Sequence, residues 1–289
     1  MKIQLIGTAA GDFLRVDDPE DDFESLPRVR ELGGRNLRRP CQAVVFPDIL
    51  VDFYDGDQLG KFGIARETIK HLVITHIHWD HFRPLKILEF AASLPHQLQI
   101  HGSHNAIEAL QFADTYDFNR ETGRFITRES RTDIGYHTLE PMQTYEIGET
   151  SVTPVHANHS LDKSDHMIMQ DLCFNYVFAQ GSSTMFYGMD SSYTFPLTLD
   201  FLRRYKMDVA VLDVTFGRRE IDPVKSGHHN IPMIKETIAE FQEAGIFHAK
   251  TNIVASHMAL AYAEPYVDLV DVMAEAGITL SYDGIELEV

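Results

Sequence analysis

An α/β fold with two packed sheets and helices outside is what this sequence predicts, on three observations. Short apolar runs rich in Val, Ile and Leu come first in close succession and then alternate with stretches of helical spacing, as in sheets covered by helices. Several of these runs end in a histidine or aspartate, after Thr75, Val155, Gly188 and Ser256. The 289 residues contain no evident linker and no long repeat, so one large domain with a substantial core is expected.

Taken in order, Lys2 to Ile6 reads as a strand and Gly7 to Gly11 as a small-residue turn. A surface insertion of about 12–38 follows, with an acidic run at Asp17 to Asp22 and then Arg28, Arg30, Arg35, Arg38 and Arg39. A solvated insertion explains it most simply; a flap whose arginines hold an anionic substrate is the alternative. Gln42 to Phe46 and Ile49 to Phe53 form a hairpin across Pro47-Asp48, Ile64 to Lys70 a short helix, and His71 to Thr75 a strand. Helices are expected over Pro84 to Ser93 and Ser103 to Tyr116, flanking a strand at Gln97 to His101.

Asp117 to Gly148 is polar and turn-rich, with strands near Tyr136 to Leu139 and Thr144 to Ile147. Strands continue at Ser151 to Val155, Leu172 to Ala179 and Thr184 to Tyr187, then a helix over Phe195 to Tyr205 and a strand at Val209 to Asp213. Asn230 caps a helix from about Ile231 to Ala244. A strand at Asn252 to Ser256, a helix near Glu264 to Ala276 and a strand at Ile278 to Tyr282 complete the reading.

The composition narrows the function. A net charge of -18 disfavours long nucleic acid as a partner. Two cysteines, Cys41 and Cys173, build neither a disulfide framework nor a metal knuckle. The N-terminal apolar run is too short for a signal peptide and no stretch reaches membrane-span length, so a cytoplasmic location is expected.

The chemistry is concentrated in Thr75-His76-Ile77-His78-Trp79-Asp80-His81, where a buried strand ends in four ligand-type residues. Imidazole with carboxylate suits a borderline divalent ion, and His76 and His78, two apart on extended chain, can turn toward one ion while Asp80 and His81 face a neighbouring position. His71, His96, His101, His104, His137, His166 and His248 lack such partners and are expected to be structural.

This motif, followed by His156-Ala157-Asn158-His159-Ser160, by Asp190 and by His257, resembles the metallo-beta-lactamase superfamily from end to end. The resemblance implies a four-layer αββα sandwich with metal at one edge: one ion on His76, His78 and His159, another on Asp80, His81 and His257, and Asp190 between them. It favours His159 over His156. Within that superfamily, Arg38-Arg39-Pro40-Cys41, the Asn-His-Ser run, Leu212-Asp213 and Tyr282-Asp283-Gly284-Ile285-Glu286 are similar to the cyclic ribosyl phosphate phosphodiesterases of bacterial phosphonate breakdown. Those relatives hold a structural zinc in a cysteine-rich segment that this chain replaces by its insertion.

The resemblance therefore implies two divalent ions, zinc or manganese first and iron as a further option, generating a bridging hydroxide that attacks a small or cyclic phosphate ester. It nominates His229 to protonate the leaving group and Asp213 to orient it, with His228 as the neighbouring alternative. A tRNA 3'-end-processing nuclease, a lactone or thioester hydrolase, and a non-catalytic metal sensor or scaffold are the competing readings. A small anionic substrate and a possible homodimer are the expected partners, with no membrane.

Overall fold

The computed structural model of the chain describes residues 1–11, 26–130, 133–159, 173–222 and 226–289. The acidic run Asp17 to Asp22, Ser160, His166 and Leu172 lie outside the described residues.

In chain order the strands are β1 (Lys2–Gly7), β2 (Gln42–Val45), β3 (Ile49–Val51), β4 (His71–Val73), β5 (Leu98–Gly102), β6 (Tyr116–Asn119), β7 (Arg124–Thr127) and β8 (Ile134–Thr138). They continue with β9 (Tyr145–Ile147), β10 (Thr150–His156), β11 (Phe174–Gln180), β12 (Ser183–Gly188), β13 (Met207–Asp213), β14 (Phe247–Ser256), β15 (Ile278–Leu280) and β16 (Ile285–Glu288). The helices are α1 (Leu26–Leu32), α2 (Asp57–Lys61), α3 (Pro84–Ser93), α4 (His104–Thr115), α5 (Pro196–Leu202), α6 (Ile231–Glu243) and α7 (Tyr266–Glu275).

Two seven-stranded sheets result, ordered β16-β1-β2-β3-β4-β5-β8 and β15-β14-β13-β12-β11-β10-β9. Period-two alternation explains how they stack. Val45, Val51 and Val73 turn inward to meet Tyr176, Phe178, Tyr187 and Val211 between the sheets. Their neighbours Val44, Leu50 and Leu72 turn outward beneath Ile87 and Leu88 of α3 and Ile107 and Leu110 of α4. On the opposite outer face, Ile234 and Phe241 of α6 and Leu269 and Met273 of α7 cover Phe186, Ala210 and Ile253. This is the αββα sandwich. In the first sheet β3, β4, β5 and β8 run parallel, and in the second β12 to β15 do. Their carboxyl ends therefore gather where a parallel sheet presents its ligands.

Some local expectations change. Ile64 to Lys70 holds only a 3-10 turn, Arg66–Thr68. Ile64 and Ile69 must both reach the core beneath the first sheet, which an extended path allows. The five-residue α2 carries a glycine and too little periodicity to read from sequence. The stretch read as polar and turn-rich contains the β6–β7 hairpin, and the chain ends in β16 against β1. Asn230 does cap α6, its Oδ1 accepting the Met233 amide at 3.0 Å. No helix among the described residues is long and apolar enough to cross a membrane.

Candidate metal centre

The site is assembled from strand ends. β3 runs into Asp52, β4 into Thr75 to His81, β10 into His159, β12 into Asp190, β13 into Asp213 and β14 into His257. Asp52, Asp190 and His257 adopt left-handed backbone at φ 60°, 46° and 61°. Such residues cost about 1–3 kcal/mol each and persist where their surroundings over-determine them, commonly at functional sites.

The imidazoles converge. His78 Nδ1 stands 2.9 Å from His76 Nε2 and 3.0 Å from His159 Nε2. Beside them His81 Nε2 and His257 Nε2 are 3.2 Å apart, with Asp80 Oδ2 3.3 Å and Asp190 Oδ2 2.7 Å from His81 Nε2. Asp190 spans the two groups: Oδ2 is 3.2 Å from His257 Nε2, while Oδ1 lies 3.9 Å from His159 Nε2. These residues form adjoining sets of potential ligands.

A second layer sets which nitrogen each ring presents. His76 Nδ1 is 3.0 Å from the Thr75 hydroxyl, which itself donates to Asp52. His81 Nδ1 meets Asp52 Oδ2 at 2.7 Å, His257 Nδ1 the Thr215 hydroxyl at 2.9 Å, and His159 Nδ1 the Gly227 carbonyl at 3.0 Å. With Nδ1 of all four rings turned outward to these groups, their Nε2 atoms converge on the site, an arrangement that suits a cation. Asp190 Oδ2, though buried, accepts no hydrogen bond of good geometry. Five imidazoles and two carboxylates without a thiolate suit a borderline divalent metal, so the donor set fits the group that the fold implies.

Gly227 belongs to this arrangement. Its φ is 64°, and a Cβ there would stand 2.9 Å from His159 Nδ1, so the turn takes glycine alone without displacing the ring.

The two groups differ electrostatically. Burial holds His76 well below its ordinary range and His159 down at about 3, so both present free lone pairs at neutral pH. Burial acts likewise on His81 and His257, but Asp190 and the other carboxylates outweigh it and raise both well above the ordinary value. Asp190, which burial alone would push up, is drawn well below the carboxylate range by His257 and His81. Protons and a divalent ion compete for this second group.

His228 and His229 point apart. His228 Nδ1 meets Asp213 Oδ2 at 2.9 Å, its ring stacks on His257 at 5.6 Å, and Asp190 Oδ1 is 3.5 Å away. His229 gives Asp213 only its backbone N–H, at 2.9 Å; its imidazole is buried, with Nε2 2.9 Å from the Thr237 hydroxyl. Burial lowers its pKa to about 4. The ring expected from sequence to face the site is thus His229, and the one that does is His228. Asp213 orients His228 and His257, not the His229 ring. His156 joins His104 and Phe174 in lining a separate cavity of about 260 Å³.

The orienting roles of Asp52, Thr75 and Thr215 are not read from the sequence. Asp52 had one legible sign, a carboxylate inside the apolar run Ile49 to Phe53. Three of the arginines after the acidic run are engaged within the chain. Arg28 pairs with Asp268 at 2.7 Å, Arg35 lies 3.9 Å over the Tyr282 ring, and Arg39 pairs with Asp283 at 3.5 Å.

The model of the beta-lactamase superfamily domain matches residues 52–258, from the carboxylate behind His81 to the residue after His257. The chain belongs to that superfamily. Similar solved structures share its fold. YhfI from Bacillus subtilis, a metallo-beta-lactamase fold protein, aligns with a TM-score of 0.68 at 18% identity over 100% of this chain and 98% of its own. Zn(2+)-bound PqqB from Methylobacterium extorquens aligns at 0.71 and 14% identity over 100% of both chains. A diphosphatase of the PhnP family aligns at 0.65 and 16% over 100% of this chain and 97% of its own. No curated protein sequence matches the chain. Within the superfamily, the His and Asp clusters mark this chain as a metal-binding hydrolase.

Proposed function

We propose that the protein is a dinuclear metal-dependent phosphodiesterase acting on a small or cyclic phosphate ester, with zinc or manganese as the resident metal. The observation that carries this reading is Asp190, whose two oxygens face different donor groups: Oδ2 toward His81 and His257, Oδ1 toward His159 and His228. His76, His78 and His159 would hold one ion and Asp80, His81 and His257 the other, with Asp190 shared. Two bound divalent ions would polarise the scissile phosphoryl group and supply the nucleophile at neutral pH.

The protein's own side chains supply the rest. Asp213 occupies His228 Nδ1, so the ring, at the partly exposed edge of the site, would hand a proton from Nε2 to the leaving alkoxide. His229, buried against Thr237, positions the loop through its backbone N–H to Asp213. Phe216 packs edge-on against the His228 ring at 5.9 Å. The zinc-bound and diphosphatase neighbours support the metal and the phosphoryl substrate by fold alone.

Paired substrates test the assignment. His228→Ala in the zinc- or manganese-loaded protein is expected to slow alkyl diesters by ~10²–10⁴-fold and nitrophenyl diesters far less, because a good leaving group needs no proton. His229→Ala is expected to spare that contrast. Equal losses on both esters remove His228 as the acid, and hydrolysis of lactones or thioesters in place of any diester removes the phosphodiesterase reading.

A further inference from the structure

α4 ends in an aromatic surface that the metal chemistry does not use. The pairs Tyr116↔Thr127 and Phe118↔Phe125 across β6 and β7 put Tyr116, Phe118 and Phe125 on one face of the hairpin, while Asp117 and Ile126 fall on the other. Phe112 of α4 joins the first face, its ring 4.8 Å from Tyr116 and 5.2 Å from Phe125, and Phe118 lies 5.3 Å from Phe125. The cluster is well packed within itself but open outward: Phe112 is 47% exposed, Tyr116 36%, Phe118 54% and Phe125 59%.

Two further features set this hairpin apart. Among the described residues β6 and β7 pair only with each other, and a lone two-stranded ribbon is marginal in water unless another layer covers it. It is nevertheless pinned in place. The Arg128 amide donates to Thr115 O at 2.8 Å and its guanidinium to Ala113 O at 2.8 Å, fixing the base of the hairpin to the last turn of α4. The surface is thus held in one geometry before anything binds it.

We propose that this aromatic face is a homodimer interface, two copies of the chain packing hairpin on hairpin about a twofold axis. Area supports that occupant. Four aromatic side chains of ~150–250 Å² each, about half exposed, offer on the order of 400 Å², the size at which an apolar patch marks a contact site. Two copies bring together about 800 Å² of aromatic surface, the core of an interface of roughly 1,200–2,000 Å², with the hairpin backbone and arginine rim supplying the remainder. Charge supports it too. The hairpin carries Asp117 and Glu121 with Arg120, Arg124 and Arg128, a nearly balanced patch on a chain of net charge -18. It is a place where two acidic molecules can meet without concentrating their repulsion, whereas an anionic membrane would meet the whole field.

Sedimentation velocity of the full, metal-loaded chain over a range of concentrations tests the proposal. The wild type and Leu197→Asp, which alters an exposed leucine on α5, are expected to dimerise alike. The double variant Phe118→Asp/Phe125→Asp is expected to weaken the dimer by at least ~100-fold. A monomeric wild type, or a dimer indifferent to the double variant, overturns the interface. Should that variant misfold by circular dichroism, hydrogen exchange on the wild type decides. Amides of Tyr116 to Thr127 slowed only at dimer-forming concentrations support the proposal. Protection that does not change with concentration means that the chain covers its own hairpin, and overturns it, as does co-sedimentation with phosphatidylcholine vesicles in place of self-association.

Discussion

Asp52 accepts the Thr75 amide at 2.8 Å and the Thr75 hydroxyl at 2.9 Å, and its other oxygen takes His81 Nδ1 at 2.7 Å. One carboxylate therefore sets His81 directly and His76 through Thr75. Asp52→Asn preserves the shape but replaces an acceptor with an amide that can present N–H to His81, releasing the ring's tautomer and orientation. Affinity at the position of Asp80, His81 and His257 is expected to fall ~10–100-fold, with His76, His78 and His159 less affected. Zinc titration against a competing chelator reads this directly, and an unchanged second affinity would remove Asp52 from the scheme. Seven of the clustered residues were legible in the chain because ligand types stand densely at strand ends. The choice between His228 and His229 was not, because adjacent side chains point oppositely and the sequence does not say which faces inward.

At the scale of elements, β4, β5 and β8 carry His71, His101 and His137 side by side. His71 Nδ1 stands 3.3 Å from His101 Nε2, and the His101 and His137 rings stack at 4.6 Å. Burial lowers His101 from 6.5 to about 3, with His137 and His71 adding to the shift. The folded state thus refuses a proton that the unfolded chain accepts. As pH falls from 6.5 toward 3 the unfolded state binds more protons, so stability falls through that window and is fully present above it. His101→Gln is expected to flatten this part of the stability curve, measured as urea midpoint against pH; an unchanged slope would assign the acid sensitivity elsewhere. Strands with clear alternation, the capped α6 and the helices after β4 and β5 were readable from local pattern. The β6–β7 hairpin, α2 and β16 were not, since their residues are polar, few or dependent on a distant partner for pairing.

For the whole molecule, the candidate metal centre joins the two sheets. His76, His78, Asp80 and His81 come from the first, and His159, Asp190 and His257 from the second. Asp52, Asp80, Asp190 and Asp213 are all buried around it, so removing cations leaves carboxylates facing one another across the sheet interface. A metal at one hundred times its dissociation constant adds ~2.7 kcal/mol, and in a chain of this size chelation is expected to lower Tm by about 4–5 °C for each ion removed. Calorimetry before and after chelation, with recovery on adding zinc or manganese, checks this. No change in Tm would separate the centre from the stability of the sandwich.

The order of the strand ends bearing His and Asp and a two-sheet core with helices outside are properties of the chain read by itself, because they follow from short-range periodicity and from which residue types stand together; the αββα class and the superfamily follow from the resemblance that this ordered motif carries. Tertiary structure decided the orientation of the His81, His257 and His159 rings, whereas His76 is set by the adjacent Thr75. The hydrogen-bond partner of each of those three rings lies far along the chain, Asp52 29 residues from His81, Thr215 42 from His257 and Gly227 68 from His159. Those acceptors arrive only when strands distant in sequence come together within each sheet, and with them the turn of His228 toward the site and of His229 away.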